Sequence, residues 1–286
     1  MGSKNELGNF LKACRDRRKP EELGIPAGGG VRRTPGLRRE EVAAAAGISM
    51  DYYTRLEQGR ERHPSDSVLE ALARVLRLAH AERQHLHNLA RHAAHPHRGK
   101  AAPEPEPVRP TVVRLLDQLG ESPAYVLNRA NRLVASNPSG LALLVGIEQW
   151  EPERRNSLRY LFLHPSARTL FVRWRNVAQE SVAHLRSTFG DNPCDPELTA
   201  LVEELSGKSE EFDAMWRRNL VQPKSGGVKS FNHPAVGRMD LAYEALDVSG
   251  APQRIVVYQA PPGSPDEDAM RLLAHVAREQ RTEVTS

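Results

Sequence analysis

The chain has 286 residues, 39% of them hydrophobic and 27% charged, with 40 Lys and Arg against 36 Asp and Glu. That length suits two domains better than one, and the apolar content suffices for a buried core. No apolar run nears the ~18 residues of a membrane-spanning helix, "MGSKNELGNF" has no signal-peptide core, and Cys14 and Cys194 have no partner spacing for zinc or a disulfide framework; a soluble protein of a reducing cytoplasm is expected.

The charge is uneven. Residues 1–100 carry 19 Lys and Arg against 12 Asp and Glu, and the remainder carries 21 against 24. A basic front and a mildly acidic back imply that the front meets a polyanion, although a merely solvated basic surface fits the charge count alone. The Pro-rich run "HPHRGKAAPEPEPVRP" (95–110) has no apolar periodicity and reads as a semi-rigid linker. The expected organisation is residues 1–94, a linker over 95–111, and residues 112–286.

In chain order, Leu7, Phe10, Leu11 and Cys14 recur at helical spacing, and Pro20 ends that first helix. A Gly-rich loop (24–36) follows; its "GGG" lacks the Gly-Lys-Ser/Thr of a phosphate-binding loop. A second helix starts near Leu37, and Gly47 permits its left-handed end. Ser49 caps a third helix from Met50, in which Tyr53 and Leu56 face inward. Ser65 opens a fourth helix, with a stripe of Leu69, Leu72, Ala73 and Leu76. A fifth runs from about Ala81 to Ala93.

Two helices around a tight Gly-containing turn form a helix-turn-helix, whose second helix enters the DNA major groove. Ser49, Met50, Asp51, Tyr52, Thr54 and Arg55 are then the residues at its start and outer face. Arg55 suits guanine, and Asp51 can accept from a cytosine amine. Arg38 and Arg39 are placed for phosphates, as are Arg32 and Arg33 in the loop and Arg60 and Arg62 beyond the helix.

These residues carry a resemblance. "TPGLRREEVAAAAGISMDYYTRLEQGRERHPSDSVLEALARVLRL" (34–78) resembles the xenobiotic-response-element (Cro/C1-type) regulators, and more narrowly their MmyB-like branch. The resemblance implies an all-α, five-helix, lambda-repressor-like N-terminal domain, in which Arg15 pairs with Glu57 to orient the recognition helix. It continues through "AYVLNRANRLVASNPSGLAL" (124–143), two short β-like runs and a helix capped near Asn137. Helices with aromatic faces follow at 155–174 and 209–221, then a run of three strands and a final helix. The pattern suggests one antiparallel sheet with helices on one face. The resemblance makes it an α+β, PAS-like ligand-binding domain. Ala135 stands where the family pattern "VLAWN" has Trp, which implies a larger pocket.

Leu158, Leu161, Phe162, Leu170, Phe171 and Trp174 are candidate walls of an apolar cavity, or simply core. Arg155, Asn156, His233 and Tyr243 are candidate polar anchors, though His233 before Pro234 reads more readily as a turn residue. The implied effector is a fatty-acyl-like or other apolar small molecule. The implied partners are double-stranded operator DNA and a second copy of the chain, with no membrane partner. The competing reading is a DNA-bound scaffold whose back domain only dimerises or docks a protein such as RNA polymerase.

His80, His85, His87, His92, His95 and His97 crowd one stretch, but no pair has the i, i+4 spacing of helical metal ligands. Neither metal nor cofactor is expected. There is no G-x-S-x-G, H-E-x-x-H or Cys-x-x-Cys, so an enzyme is not expected either.

Overall fold

The computed structural model describes residues 5–23, 36–94, 107–222 and 226–285. In chain order it contains α1 (Glu6–Arg17), α2 (Arg39–Ala46), α3 (Met50–Glu57), α4 (Asp66–Val75), α5 (His80–Ala94), α6 (Pro110–Gln118), β1 (Ala124–Asn128), β2 (Leu133–Ser136), α7 (Pro138–Ala142), α8 (Ser157–Leu163), α9 (Ala167–Leu170), α10 (Trp174–Asp191), α11 (Pro196–Lys208), α12 (Glu210–Arg217), β3 (Gly226–His233), β4 (Gly237–Asp247), β5 (Gln253–Gln259) and α13 (Pro265–Thr285). Two compact units result. The first takes Met1–Ala102, Val182–Glu203 and Asp213–Pro223; the second takes Pro103–Ser181, Glu204–Phe212 and Lys224–Ser286.

In the first unit, the apolar stripes of α1–α5 meet in one core whose centre is Phe10, Leu11, Leu37, Tyr53, Leu56, Leu72 and Leu86. Burying each such side chain contributes about 1.5–3 kcal/mol relative to leaving it in water. Local chemistry sets the helix starts: the side-chain oxygens of Asn5, Ser49 and Ser65 accept from the backbone N–H groups of Gly8, Tyr52 and Val68. Gly47, at φ 69°, closes α2, so the chain can turn directly into α3. The second helix starts at Arg39 rather than near Leu37. Leu37 is docked before the helix begins, its N–H donating to the Arg15 carbonyl and its own carbonyl accepting from Arg15 Nη1 at 2.7 Å.

Far-downstream residues complete this unit. Val221 packs on the same core, and Gln222 N–H donates to the Ala183 carbonyl. His85 sits edge-on to the Phe10 ring, 4.9 Å between centroids. A Cβ on Gly190 would come within 2.1 Å of the His85 ring, so only glycine permits that approach.

The second unit is built on a five-stranded antiparallel sheet of order β2-β1-β5-β4-β3. Period-two alternation splits its residues between two faces. Ala124, Val126, Ile255 and Val257 share one face and pack against Val112 and Leu116 of α6. Tyr125, Lys229, Phe231, Met239, Leu241, Tyr243 and Tyr258 share the other, where Phe231 meets Phe171 just after α9. Helical elements therefore cover both faces, not one. The difference arises at α6, which opens at Pro110 inside the stretch read as linker. Pro at the first helical position is favourable, and Val112 and Leu116 then fall on one helix face. The mixed sheet-and-helix build is compatible with a PAS-like fold. Among the described residues, no helix is long and apolar enough to cross a membrane.

Burial pushes the His85 imidazole down to about 3, with Arg186 acting in the same direction. The unfolded chain takes up this proton near pH 6.5, so the stability of the first unit rises with pH between those two values and is lost as pH falls through them. Denaturation at pH 6.5 and pH 5 should differ by up to ~2 kcal/mol from this residue alone. His85→Phe should remove that part of the slope.

Candidate DNA-reading and ligand-facing sites

The turn Gly47–Ile48–Ser49 presents α3 outward from the first unit. Met50 is 55% exposed, while Tyr53 and Leu56 are fully buried. Asp51 and Arg55, one turn apart, lie 3.6 Å from each other, and the Arg55 guanidinium is 6.0 Å from the Tyr52 ring centre. These contacts prepare Arg55 without burying it. Tyr52 and Thr54 are half-buried, and Arg38, Arg60 and Arg62 are exposed. Ser49 is engaged as the α3 cap, and Arg62 Nε donates to the Gly59 carbonyl at 3.4 Å. Arg32 and Arg33 lie outside the described residues.

Glu57 fixes the orientation of this helix. Its side chain is 1% exposed, and its two oxygens accept from Arg15 Nε and Arg39 Nε, each at 2.6 Å. Burial works against the Arg15 charge, but the hydrogen bond and field of Glu57 outweigh it and raise the guanidinium pKa. The Arg15–Glu57 pair was expected; the third member was not. Arg39, expected on phosphates, also has its Nε–H on Glu57, with its side chain 44% exposed. At the far end of α3, Asn5 Nδ2 donates to the Glu57 carbonyl at 2.7 Å, and a Cβ on Gly8 would fall 2.2 Å from that same oxygen. Removing one partner of a buried pair leaves a charge stranded, which costs about 3–5 kcal/mol. Glu57→Gln should destabilise the first unit by that order in urea denaturation, with Arg15→Met close behind.

In the second unit, the expected wall residues divide into two groups. Trp174 Nε1–H donates to the Leu161 carbonyl at 2.8 Å, and Phe162 lies between Trp174 and Phe212, with centroids at 5.7 and 5.2 Å. Leu158 and Leu170 are buried. Phe171 instead joins the sheet face, in the series Phe171–Phe231–Tyr258–Tyr243 with neighbouring centroids 5.3–5.8 Å apart. The expected anchors are largely consumed by the backbone. Arg155 donates to the carbonyls of Trp150 and Glu148. Asn156 caps α8 and donates to the Ala130 carbonyl. His233 accepts from Ala235 N–H at Nδ1 and donates from Nε2 to the Ala142 carbonyl, as a turn residue would. Ala135 packs on the α6 side of the sheet, opposite the tyrosines, so its small size opens nothing on the aromatic face.

The polar centre of that face was missed. Lys229 Nζ donates to Tyr258 Oη at 2.7 Å and lies 4.2 Å from the Tyr243 ring centre. Tyr258 and Tyr125 hydroxyls are 2.9 Å apart. Burial pushes Tyr243 up to about 12 and Tyr258 well above the ordinary phenol range, so all these hydroxyls keep their protons. The face thus offers an ammonium and neutral hydroxyl donors inside an aromatic lining. The signal was present in "VKSFNH", where Lys229, Phe231 and His233 share one parity.

Residues 108–273 match the family described as MmyB-like transcription regulator ligand binding domain, and residues 6–86 match a helix-turn-helix domain family. Over 52 residues the chain is 44% identical to the HTH-type transcriptional regulator y4dJ of Sinorhizobium fredii. That stretch covers 18% of this chain and 66% of the relative, just under two thirds of its length. The first match alone spans more than half the sequence, and the chain belongs to the MmyB-like transcription regulators, a family of regulators and not of enzymes.

Proposed function

We propose that the protein is a ligand-responsive, sequence-specific DNA-binding regulator that acts as a homodimer. α3 reads base edges through Arg55, with Met50, Asp51 and Tyr52 beside it, while Arg38, Arg60 and Arg62 meet phosphates. One recognition helix reads only a few base pairs, so two half-sites about one helical turn, ~34 Å, or a multiple apart are needed. A protein partner such as RNA polymerase is the alternative occupant of the second unit.

The effector we propose is an apolar, fatty-acyl-like molecule with an acidic or hydroxylated head. The observation that supports it is the placement of Lys229 and three tyrosine hydroxyls within a sheet face whose other side chains, Phe231, Met239 and Leu241 among them, are apolar. To regulate, the molecule must bind one state of the protein better than another, since equal affinity shifts nothing.

Two measurements test these readings. Arg55→Ala should cost ~1–3 kcal/mol on a selected duplex and relax preference at one base pair. Arg38→Ala should weaken all sequences alike and flatten the salt dependence; equal losses on selected and random DNA for Arg55→Ala would remove the base-reading role. Delipidated protein titrated with fatty acids and the matching alcohols should gain thermal stability, ~2.7 kcal/mol at a hundredfold excess over Kd. Lys229→Met should abolish any preference for the acid over the alcohol. No stabilisation by either series would leave the scaffold reading in its place.

A further inference from the structure

Arg186 lies far from α3 in sequence and is almost completely buried within the first unit, its side chain 4% exposed. Its Nη1 donates to Glu6 Oε2 at 2.7 Å, and its Nη2 donates to the Trp216 carbonyl at 2.7 Å. The guanidinium lies 3.4 Å over the Trp216 ring, and that ring in turn meets Phe189 edge-on. A few residues on, Asp191 accepts from Asn88 through its carboxylate and from His92 through its carbonyl. The end of α10 is thereby pinned to α5 at Asn88 and His92, and to the start of α1 at Glu6.

The start of α1 is also what holds the end of the recognition helix. Asn5, next to Glu6, donates to the Glu57 carbonyl, and Gly8 leaves room for that same oxygen. Arg15, further along α1, holds the Glu57 carboxylate. A charge buried this deeply contributes little net stability against an apolar replacement; its geometry is what it supplies. We propose that Arg186 is a positioning residue for DNA reading: by holding Glu6 it sets the N-terminal end of α1, which in turn sets the tilt of α3. The inference rests on α3 as the DNA-reading helix.

The test uses the full-length protein and a duplex that the wild type selects from a random-sequence pool, compared with a random duplex of equal length. Arg186→Met and Glu6→Gln should each lower affinity for the selected duplex about tenfold, while random-duplex affinity and its salt slope stay unchanged. The double variant should be no worse than Arg186→Met alone, because that substitution already removes the Glu6 contact. Arg186→Lys, which keeps the charge on Glu6, should recover part of the loss. A structural role alone would lower both affinities together, in step with the folded fraction. Glu6 is partly exposed and its amide is isosteric, so Glu6→Gln decides the matter should Arg186→Met fold poorly. Unchanged selected-duplex affinity in folded Glu6→Gln, or equal loss on both duplexes, would overturn the proposal. Arg55→Ala forms a separate arm that tells the two failures apart: if it leaves the selectivity intact, the reading of α3 fails and this proposal with it, whereas lost selectivity in Arg55→Ala beside unchanged selectivity in folded Glu6→Gln overturns this proposal alone.

Discussion

One buried carboxylate holds the reading head together. Glu57 accepts from α1 through Arg15 and from the start of α2 through Arg39, and its backbone carbonyl is held by Asn5. Three helices are thus referenced to one side chain, which a purely apolar core would not do, since hydrophobic contact is non-directional. The arginine forks fix angles as well as distances. Arg39 is the most exposed member of the three, so it stands both in the clamp and at the protein surface. Any DNA contact it makes acts on a group already bonded to the recognition helix.

The second unit solves a different problem with similar chemistry. Its sheet buries both faces, one under α6 and the other under aromatic side chains, and polar groups are carried into the second of these. The Lys229 ammonium is tolerated there because Tyr258 Oη accepts a hydrogen bond from it and the Tyr243 ring faces it. Structural needs elsewhere are met by ordinary backbone partners: Asn156 caps a helix, and His233 closes a turn. Residues chosen from the sequence for their polarity were mostly doing this local work.

Legibility followed range. Gly47 and Ser49 act within three residues of themselves, so the turn and the start of α3 could be read directly from the string. The strand pair β1–β2 and the Asn137 cap were readable for the same reason. Arg15 with Glu57 came from family likeness, not from spacing. Arg39 joins the clamp only through its rotamer, and no sequence pattern encodes that. α10 carries no signal that sets it apart, and "VAHLRSTFG" gives Arg186 the look of an ordinary solvated arginine on an amphipathic helix. Its burial depends on Glu6 and Trp216, which only the folded chain brings near. α6 was hidden by the prolines before it, which read as a continuing linker.

The composition of the first unit also governs when it can form. Its last pieces, Val182–Glu203 and Asp213–Pro223, leave the ribosome well after α1–α5. At about 5–20 residues per second, the nascent chain spends on the order of ten seconds with the Phe10 and His85 seat uncovered. During that interval the five helices can assemble around their own core, yet Glu6 still lacks the arginine that will anchor it. A newly made molecule therefore completes its first unit only once most of its second unit has also been synthesised.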